Sequence, residues 1–243
     1  MKTIDLNCDL GESDTGSGVL IERQLLEIIS SANIACGGHA GDPHTMIRTV
    51  TTALSYNVAL GAHPSYPDIA NFGRVSIPMS AAEIEATCFK QITALAKYAD
   101  SHGGHLNHIK PHGALYHDAM VSEPIALAIG RATLRINPKL VMIGFPNALA
   151  LRIWQSQGFQ VATEAFADRT YEQDGSLRKR TLQGALITDP AAAVAQSLRL
   201  ATSASPPDTL CIHSDTTNAP EIASAIRAAL TAAGFTIKAP GAK

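Results

Sequence analysis

Short apolar runs alternate with longer segments of helical periodicity along almost the whole chain, and this alternation constrains the fold more than any other feature. The pattern is typical of repeated β-α units, in which the strands form a parallel sheet and the helices cover it. It predicts an α/β protein. We predict eight strands, near residues 3–10, 33–39, 58–64, 105–111, 140–146, 160–166, 184–188 and 209–215.

The helical segments between these runs begin with strong start signals. An acidic residue followed by proline is a favourable helix start, and a serine followed three residues later by glutamate forms a capping box. Gly158 and Gly234 suit the ends of two helices. The predicted starts are Asp42-Pro43, Ser80 with Glu83, Ser122 before Glu123-Pro124, Asp189-Pro190, and Asn218 with Glu221.

Eight strands and their helices in 243 residues fit a single-domain (β/α) TIM-like barrel over residues 1–243, near the minimum size of that fold. The run 184–188 is short and weakly apolar, so a seven-stranded or irregular barrel fits equally well. The rival is an open, doubly wound sheet, which usually binds a nucleotide through a glycine-rich first turn. The sequence contains neither G-x-G-x-x-G nor the Walker motif, and this favours the barrel.

Composition restricts the partners of the chain. The net charge of −2 and the pI near 6.5 argue against a nucleic-acid surface or an anionic membrane surface. No apolar run reaches the roughly 18 residues of a membrane span, and charged residues begin at Lys2, where a signal peptide would need its apolar core. The four cysteines lack the short spacings of zinc or redox motifs, so we expect them to be reduced and buried. A cytoplasmic location follows.

The first predicted strand is the most informative segment. Side chains alternate between the two faces of a strand, so Ile4, Leu6, Cys8 and Leu10 share one face and the polar Asp5, Asn7 and Asp9 share the other. The apolar face suits the helix layer, and this directs the polar face into the barrel. Carboxylates there are costly unless they are paired or serve a site. The alternative is an internal hydrogen-bond network that only stabilises the barrel.

The same alternation places further polar side chains toward the carboxyl ends of the other strands, where barrel active sites are built. We expect Gly37 and His39 to share a face of the second strand. The candidate residues at this rim are His39, His63, Lys110, His112, Glu164, His213 and Asp215.

The chemistry of this rim stays open at the level of residue types. Aspartate and histidine together can hold a divalent metal, and they can equally carry out general acid–base catalysis. Lys110 could hold an anion or stabilise an oxyanion, whereas nothing specific supports a Schiff base. A serine nucleophile is disfavoured because no G-x-S-x-G elbow is present.

Two stretches, 65–78 and 167–181, are too long and too polar for ordinary connections and are predicted to be active-site flaps. They contain Arg74, Asp168 and Arg169. Either arginine could hold a carboxylate in a bidentate pair, although each could equally be an ordinary surface residue.

These segments also resemble a known family. The opening D-L-N-C-D-L-G-E at residues 5–12 is followed by N-I-A-C-G-G-H-A-G-D-P at 33–43, G-A-H-P-S-Y-P-D at 61–68, K-P-H-G-A-L-Y at 110–116 and E-A-F-A-D-R at 164–169. In this order they are similar to the motifs of the LamB/YcsF family, with matches from Asp5 to Asp215. Three positions depart from the usual pattern: Gly38 replaces a common Phe, Val75 replaces an Arg, and residues 212–216 read I-H-S-D-T instead of V-H-G-D-N.

The resemblance implies a barrel related to metal-dependent polysaccharide deacetylases. It also implies ATP-dependent opening of 5-oxo-L-proline to glutamate, carried out with the B and C subunits of a 5-oxoprolinase, so that ATP would act through the complex. The departures from the family pattern concern the identity of the lactam more than the class of reaction. A chain without a phosphate-binding loop suits dependence on partners, and formation of a homo-oligomer stays open.

On this hypothesis Asp9 or Glu164 is the general base, and His39 or His63 transfers a proton. Lys110 and His112 contact the substrate or an oxyanion, and the remaining substrate contacts are Asn7, Arg74, Asp168, Arg169, His213 and Asp215. Two rivals are a stand-alone metal-dependent amide hydrolase, such as a deacetylase, and a non-catalytic lactam-binding subunit.

Overall fold

A computed structural model describes residues 2–14 and 16–241, which form eight strands and eight helices in strict alternation apart from two consecutive helices, α4 and α5. The strands are β1 (Lys2–Leu10), β2 (Ser31–Ala35), β3 (Ala59–His63), β4 (Leu106–Ile109), β5 (Val141–Gly144), β6 (Val161–Phe166), β7 (Thr209–His213) and β8 (Phe235–Ile237). The helices are α1 (Gly16–Leu26), α2 (Pro43–Ser55), α3 (Ala81–Ser101), α4 (Gly113–Val121), α5 (Glu123–Leu134), α6 (Leu149–Ser156), α7 (Pro190–Ala201) and α8 (Ala219–Ala232).

Strands β1 to β7 are all parallel and close into a seven-stranded barrel, because β1 pairs with both β2 and β7. Closure brings neighbours from both sides to the end of β1: Asp9 lies opposite Asn33 of β2 and opposite His213 of β7. Polar side chains that are far apart in the sequence therefore meet inside the barrel.

The predicted strand at 184–188 was wrong. These residues form no strand, and Leu186 makes only an isolated antiparallel bridge to Arg169 within the loop that follows β6. An eighth strand exists instead at Phe235–Ile237, where it pairs with the start of β1 outside the closed ring. The second strand also ends earlier than predicted, at Ala35, so Gly37 and His39 lie in the β2–α2 loop and not on a strand face. The seven-stranded alternative was the right one.

The helix starts follow the predicted caps, although two of the capping side chains do not bond. Asp42 accepts from the backbone N–H of Thr45, Asp189 accepts from that of Ala192, and Ser80 and Glu83 form the capping box. Ser122 and Asn218 precede their helices without a capping hydrogen bond from the side chain. Each cap that bonds contributes on the order of 1 kcal/mol to helix stability.

The faces of β1 are divided as the alternation predicts. Ile4, Leu6, Cys8 and Leu10 are at most 2% exposed and belong to the apolar core between barrel and helices. The opposite face is buried too, but it is polar. All four cysteines are buried and free, as expected. Among the residues that the structure describes, no helix combines the length and the apolar character needed to cross a bilayer.

A row of paired residues crosses the barrel wall from Asp9 through Asn33 and Gly61 to His108. Gly61 supplies no side chain to this row, and the imidazole of His108 fills the space. A Cβ atom at position 61 would lie 1.9 Å from Nε2 of His108, a distance that no real contact allows. The glycine is therefore required by close approach and not by its backbone angles.

Candidate active site

The inside of the barrel is connected by side-chain amides. Asn33 Nδ2 donates to Asn7 Oδ1 at 2.7 Å and to Asp9 Oδ1 at 2.8 Å, and Asn7 Nδ2 donates to Glu164 Oε1 at 3.1 Å. His108 Nε2 contacts Asn33 Oδ1 at 2.8 Å and must be the donor, because an amide oxygen only accepts. These residues are buried, so the network holds the carboxylates of the site in fixed positions.

Lys110 lies at the centre of this network, one residue past the end of β4. Its Nζ is 3.0 Å from Asp9 Oδ1, 2.9 Å from Glu164 Oε1 and 3.1 Å from the Sγ atom of Cys211. Burial opposes the charge, but the two carboxylates outweigh it and raise the pKa of Lys110 well above its usual range. The lysine is therefore an ammonium ion at neutral pH, which suits an electrostatic role and not a Schiff base.

Asp9 is the carboxylate of this group that reaches the cavity. Burial alone would raise its pKa, but His63 and Lys110 outweigh burial and hold the pKa well below the usual range. Asp9 Oδ2 lies 3.4 Å from His63 Nε2 and 4.0 Å from His213 Nε2. Asp9 is thus ionised at any ordinary working pH, between two imidazoles and an ammonium group.

Three histidines and a phenylalanine pack together beside Asp9. The rings of His39 and His112 are stacked, with centroids 3.6 Å apart, and His63 and Phe72 meet them edge-on. Glu12 Oε1 lies 2.9 Å from Nε2 of His39 and 3.5 Å from Nδ1 of His112. Burial and the neighbouring His63 lower the pKa values of both His39 and His112 to about 2. These two rings are neutral at physiological pH.

The tautomers of His63 and His112 are restricted by backbone carbonyls. His63 Nδ1 donates to the carbonyl of Lys110 at 2.6 Å, and His112 Nε2 donates to the carbonyl of Phe72 at 2.9 Å. The remaining nitrogens, His63 Nε2 and His112 Nδ1, are 3.0 Å apart. Two neutral rings would direct their lone pairs at each other, so this contact needs either a proton or a cation.

The residues around this contact fit a divalent cation. Glu12, His39, His63 and His112 each offer one ligand atom, and these atoms lie within 4.8 Å of one another. Imidazole nitrogens with one carboxylate oxygen are the ligands of zinc and similar first-row ions. The 3.0 Å contact between His63 Nε2 and His112 Nδ1, which needs a proton or a cation between the two nitrogens, is the structural observation compatible with such an ion.

A second group of potential ligands, formed by Asp9, Cys211 and His213, fits a metal less well. Burial raises the pKa of the Cys211 thiol well above its usual range, and metals bind the thiolate. The Sγ atom also lies in contact with the Lys110 ammonium group.

His213, on the strand next to Asp9, forms a dyad with Asp168. Its Nδ1 lies 3.0 Å from Asp168 Oδ1, and the same carboxylate accepts from the backbone N–H of His213 at 2.9 Å and from Thr216 Oγ1 at 2.6 Å. Burial lowers the pKa of His213, but Asp168 outweighs burial and raises it above the usual value. Because His213 donates its Nδ1 proton to Asp168, its Nε2 atom is free to exchange a proton in the cavity.

The segment after β6 is a folded hairpin and not an irregular flap. Tyr171 and Leu177 form an antiparallel bridge, and Gln196 of α7 donates to the carbonyls of Phe166 and Arg169. The hairpin places Arg180 against Asp215 at 2.5 Å. Arg74, from the loop after β3, lies 3.0 Å from the same carboxylate. Both long loops therefore meet over the end of the barrel.

The loops and the barrel end enclose a cavity of about 490 Å³. Eight of the predicted site residues line it: Asp9, His63, Arg74, Lys110, His112, Arg169, His213 and Asp215. Three others, Asn7, Glu164 and Asp168, are fully buried behind this lining and hold it in place. His39 faces a second cavity, of about 650 Å³, on the far side of Glu12.

Sequence reasoning missed several members of the site. Alternation on β2 would have found Asn33, since it applies to that strand as it does to β1. Glu12 ends the first family motif, but nothing in its spacing indicates that it contacts two histidines. The other missed residues are His108, Cys211, Arg178 and Arg180.

At the opposite end of the barrel, Asp5 is buried and forms no ion pair with any of the residues described. Its carboxylate accepts from Ser30 and Ser31 at 2.7 Å and from Thr209 at 2.5 Å, which leaves the negative charge without compensation. Burial raises the pKa of Asp5 to about 6 in spite of these hydrogen bonds. The protonation of Asp5 therefore affects the stability of the barrel, and the residue does not line the cavity.

We expect the Asp5→Asn variant to gain stability relative to the wild type as the pH rises from about 4 to about 7. A pKa raised on folding means that the folded state binds more protons in this range, so ionisation of Asp5 costs the wild type stability as the pH rises through about 6. The full difference is about 3 kcal/mol, at 1.36 kcal/mol per pKa unit. Urea unfolding of both proteins at several pH values measures it. A stability difference that does not change with pH would contradict the assignment.

The fold agrees with solved structures from two groups. A family 4 carbohydrate esterase from Streptomyces lividans superposes with a TM-score of 0.56 over 97% of this chain and 91% of that one, at 13% identity. A lactam utilization protein from Thermus thermophilus superposes with a TM-score of 0.89 over 98% of this chain and all of that one, at 38% identity. The chain is thus a TIM-like (β/α)7 barrel whose fold resembles that of the carbohydrate esterase, with a polar site at the carboxyl ends of its strands.

Relatives that match over their full length identify the protein family within this fold. The A subunits of 5-oxoprolinase from Chloroflexus aggregans and Heliobacterium modesticaldum are 45% and 41% identical, over 99% and 97% of this chain and 100% and 97% of theirs. The model of the LamB/YcsF family matches residues 4–243. The chain belongs to the LamB/YcsF family, as the motifs had indicated.

Proposed function

We propose that this chain is the hydrolytic component of an ATP-dependent 5-oxoprolinase, which opens the lactam ring of 5-oxo-L-proline to L-glutamate together with B and C subunits in the cytoplasm. One observation carries the proposal. An ionised carboxylate, Asp9, lies 4.0 Å from an oriented histidine, His213, and both line a cavity with cationic residues at its rim. The names of the full-length relatives agree with this reaction.

The cavity suits a small anion. Its volume of about 490 Å³ exceeds that of one lactam ring with a carboxylate, and Arg74 stands at its rim. Arginine binds carboxylates through two parallel hydrogen bonds and would orient the ring with its amide toward Asp9. The barrel supplies the rigid floor and the two long loops supply the contacts for specificity.

In the hydrolytic step, Asp9 would accept a proton from the attacking water as that water adds to the carbonyl carbon. His213, held in one tautomer by Asp168, would then donate a proton to the ring nitrogen as the carbon–nitrogen bond breaks. Burial of Asp168 and its additional donors keep the dyad oriented. In this proposal Asp9 is the general base, as the sequence predicts, and His213 is the general acid. The alternative assignments to Glu164, His39 and His63 stay predictions.

Stabilisation of the developing oxyanion falls to the cationic side of the floor. The Lys110 ammonium group lines the cavity next to Asp9 and is the donor, whereas the neutral His112 ring already donates its N–H to the carbonyl of Phe72. Preorganised donors of this kind contribute about a hundredfold or more in rate. A divalent cation held by Glu12, His63 and His112 would polarise the carbonyl as a Lewis acid when bound.

The ATP step is assigned to the partners. The sequence contains no Walker motif, and a resonance-stabilised lactam needs activation before water can open it. The B and C subunits would supply that activation, and this chain would complete the hydrolysis.

The test is an assay of glutamate formation from 5-oxo-L-proline, run with this chain alone, with the B and C subunits alone, and with all three. We expect ATP-dependent turnover only in the complete mixture, with ADP formed alongside glutamate. Turnover by this chain without ATP or partners would overturn the proposal.

A stand-alone metal-dependent amide hydrolase is the second candidate. The ligand set of Glu12, His39, His63 and His112 favours it. Metal analysis of the purified chain, followed by amide hydrolysis without ATP and its loss on chelation, would identify that activity. A bound metal together with strict dependence on ATP and partners would instead agree with the first proposal.

A further inference from the structure

The charge of the cavity exceeds what one carboxylate substrate needs. Its lining contains three carboxylates, from Asp9, Glu12 and Asp215, in a protein whose overall net charge is −2. Six side chains with a full positive charge line the same cavity: Arg74, Lys110, Arg169, Arg178, Lys179 and Arg180.

The positive charges are not distributed evenly. Lys110 is neutralised on the floor by Asp9 and Glu164. The others lie at the rim, and four of them belong to the hairpin after β6. The cavity is thus acidic at its base and basic along one wall, which we call the hairpin wall: Arg169, Arg178, Lys179 and Arg180.

Local carboxylates compensate this wall only in part. Asp215 is shared between Arg74 and Arg180, so one carboxylate serves two guanidinium groups. Arg178 pairs with Glu172 at 3.0 Å. Within the described part of the chain, neither Arg169 nor Lys179 forms an ion pair. The four cations of the wall and Arg74 together meet two carboxylates, so about three positive charges are left for a ligand.

Arg169 supplies an independent observation. Its side chain donates to the carbonyl of Arg178 at 2.7 Å, and the residue is only 8% exposed where it lines the cavity. Its Nε is buried and has no hydrogen-bond partner among the residues that the structure describes. An unpaired buried donor of this kind costs stability unless a ligand accepts from it. Burial and the nearby Arg180 also lower the pKa of Arg169, as expected for cations that crowd without an anion.

We propose that the hairpin wall is a phosphoryl-binding site for a small phosphorylated ligand, bound with its reacting carbon over Asp9 and its phosphoryl oxygens on Arg169 and Arg180. A carboxylate would neutralise one charge of the wall, whereas a phosphoryl group carries about two and offers three acceptor oxygens. Arginine is the side chain best suited to such a group.

This inference rests on the proposed function only for the ligand's identity, a phosphorylated form of the lactam made by the ATP step. The phosphate site itself rests on the charges and on the unpaired Nε. A small ligand is favoured over a nucleotide because the hairpin wall and the floor with Asp9 line the same cavity, so one ligand must reach both.

The test uses the purified full-length chain and inorganic phosphate, with binding measured by titration calorimetry at low salt. We expect saturable binding, weakened about tenfold by Arg169→Gln or by Lys179→Gln. Lys179 is exposed and has no ion pair, so its neutralisation leaves the hairpin folded. Arg199→Gln, an exposed substitution on α7, is the matched control and should leave the affinity unchanged.

Three outcomes would overturn the proposal: no saturable binding of phosphate, binding that both hairpin variants leave unchanged, or equal weakening by the control variant. Tighter binding of ATP than of phosphate, lost in the same variants, would overturn the small ligand and assign the wall to a nucleotide. The measurement needs neither partners nor turnover. Phosphate binding with no 5-oxoprolinase activity in the complete mixture would therefore sink the proposed function alone, and the reverse result would sink this site alone.

Discussion

Replacing Lys110 with methionine is expected to lower the free energy of unfolding by about 3–5 kcal/mol at neutral pH, because it leaves Asp9 and Glu164 buried without their shared cation. Methionine preserves most of the volume of the side chain, so the loss is electrostatic. Chemical unfolding of the variant and the wild type measures the difference directly.

The sign of the pH dependence distinguishes this loss from a packing defect. With Lys110 present, the lowered pKa of Asp9 contributes stability above about pH 4, and this contribution is lost as the pH falls through the pKa of the folded state. Without the lysine, the buried carboxylates bind protons more readily, so the deficit should shrink toward acid pH. Lys97→Met, an exposed substitution on α3, should be nearly neutral. A deficit of equal size at every pH would point to packing instead.

Replacing Asp9 with asparagine is expected to lower kcat in the reconstituted complex about a hundredfold or more, since the substitution removes the proton acceptor with little change in shape. Asparagine can keep the hydrogen bond from Asn33, so the network inside the barrel stays largely connected. KM should change much less than kcat, because in the proposed mechanism Asp9 contacts the attacking water and not the carboxylate of the substrate.

The Asp100→Asn variant is the matched control, because Asp100 is exposed and pairs with His105 on the surface. Its kcat should equal that of the wild type. Activity of Asp9→Asn within about threefold of the wild type would remove Asp9 from the chemistry. Substrate binding that survives in this variant, with unchanged turnover, would favour the non-catalytic lactam-binding subunit.

Local pattern was sufficient for the parts of the site that lie on regular strands. Alternation on β1 predicted that Asp5, Asn7 and Asp9 point inward, and the barrel rule placed Lys110 and His213 at the correct end. The family motifs agreed with the same residues. These predictions succeed because the period of a strand is a local property of the backbone.

Contacts between elements could not be predicted in this way. The number of strands in a barrel depends on how the sheet closes, and the weakly apolar run at 184–188 does not indicate which strands pair to close it. The stacking of His39 on His112 depends on two loops whose path has no periodicity. No local pattern distinguishes Arg178 and Arg180, since only the folded hairpin turns them toward the cavity.

The contact between Gly61 and His108 has a consequence for how this barrel can vary. His108 reaches Asn33 only through the gap that the glycine leaves, so the two positions share a single volume. A side chain larger than hydrogen at position 61 fits only if residue 108 is smaller than histidine. A variant with only the change at 61 has a steric clash, and a variant with only the change at 108 has a cavity. Drift at these two sites should therefore be correlated. Two substitutions at these positions that each destabilise the protein alone should be tolerated together. The order in which they arise therefore decides whether evolution can replace the Gly61–His108 pair by another pair.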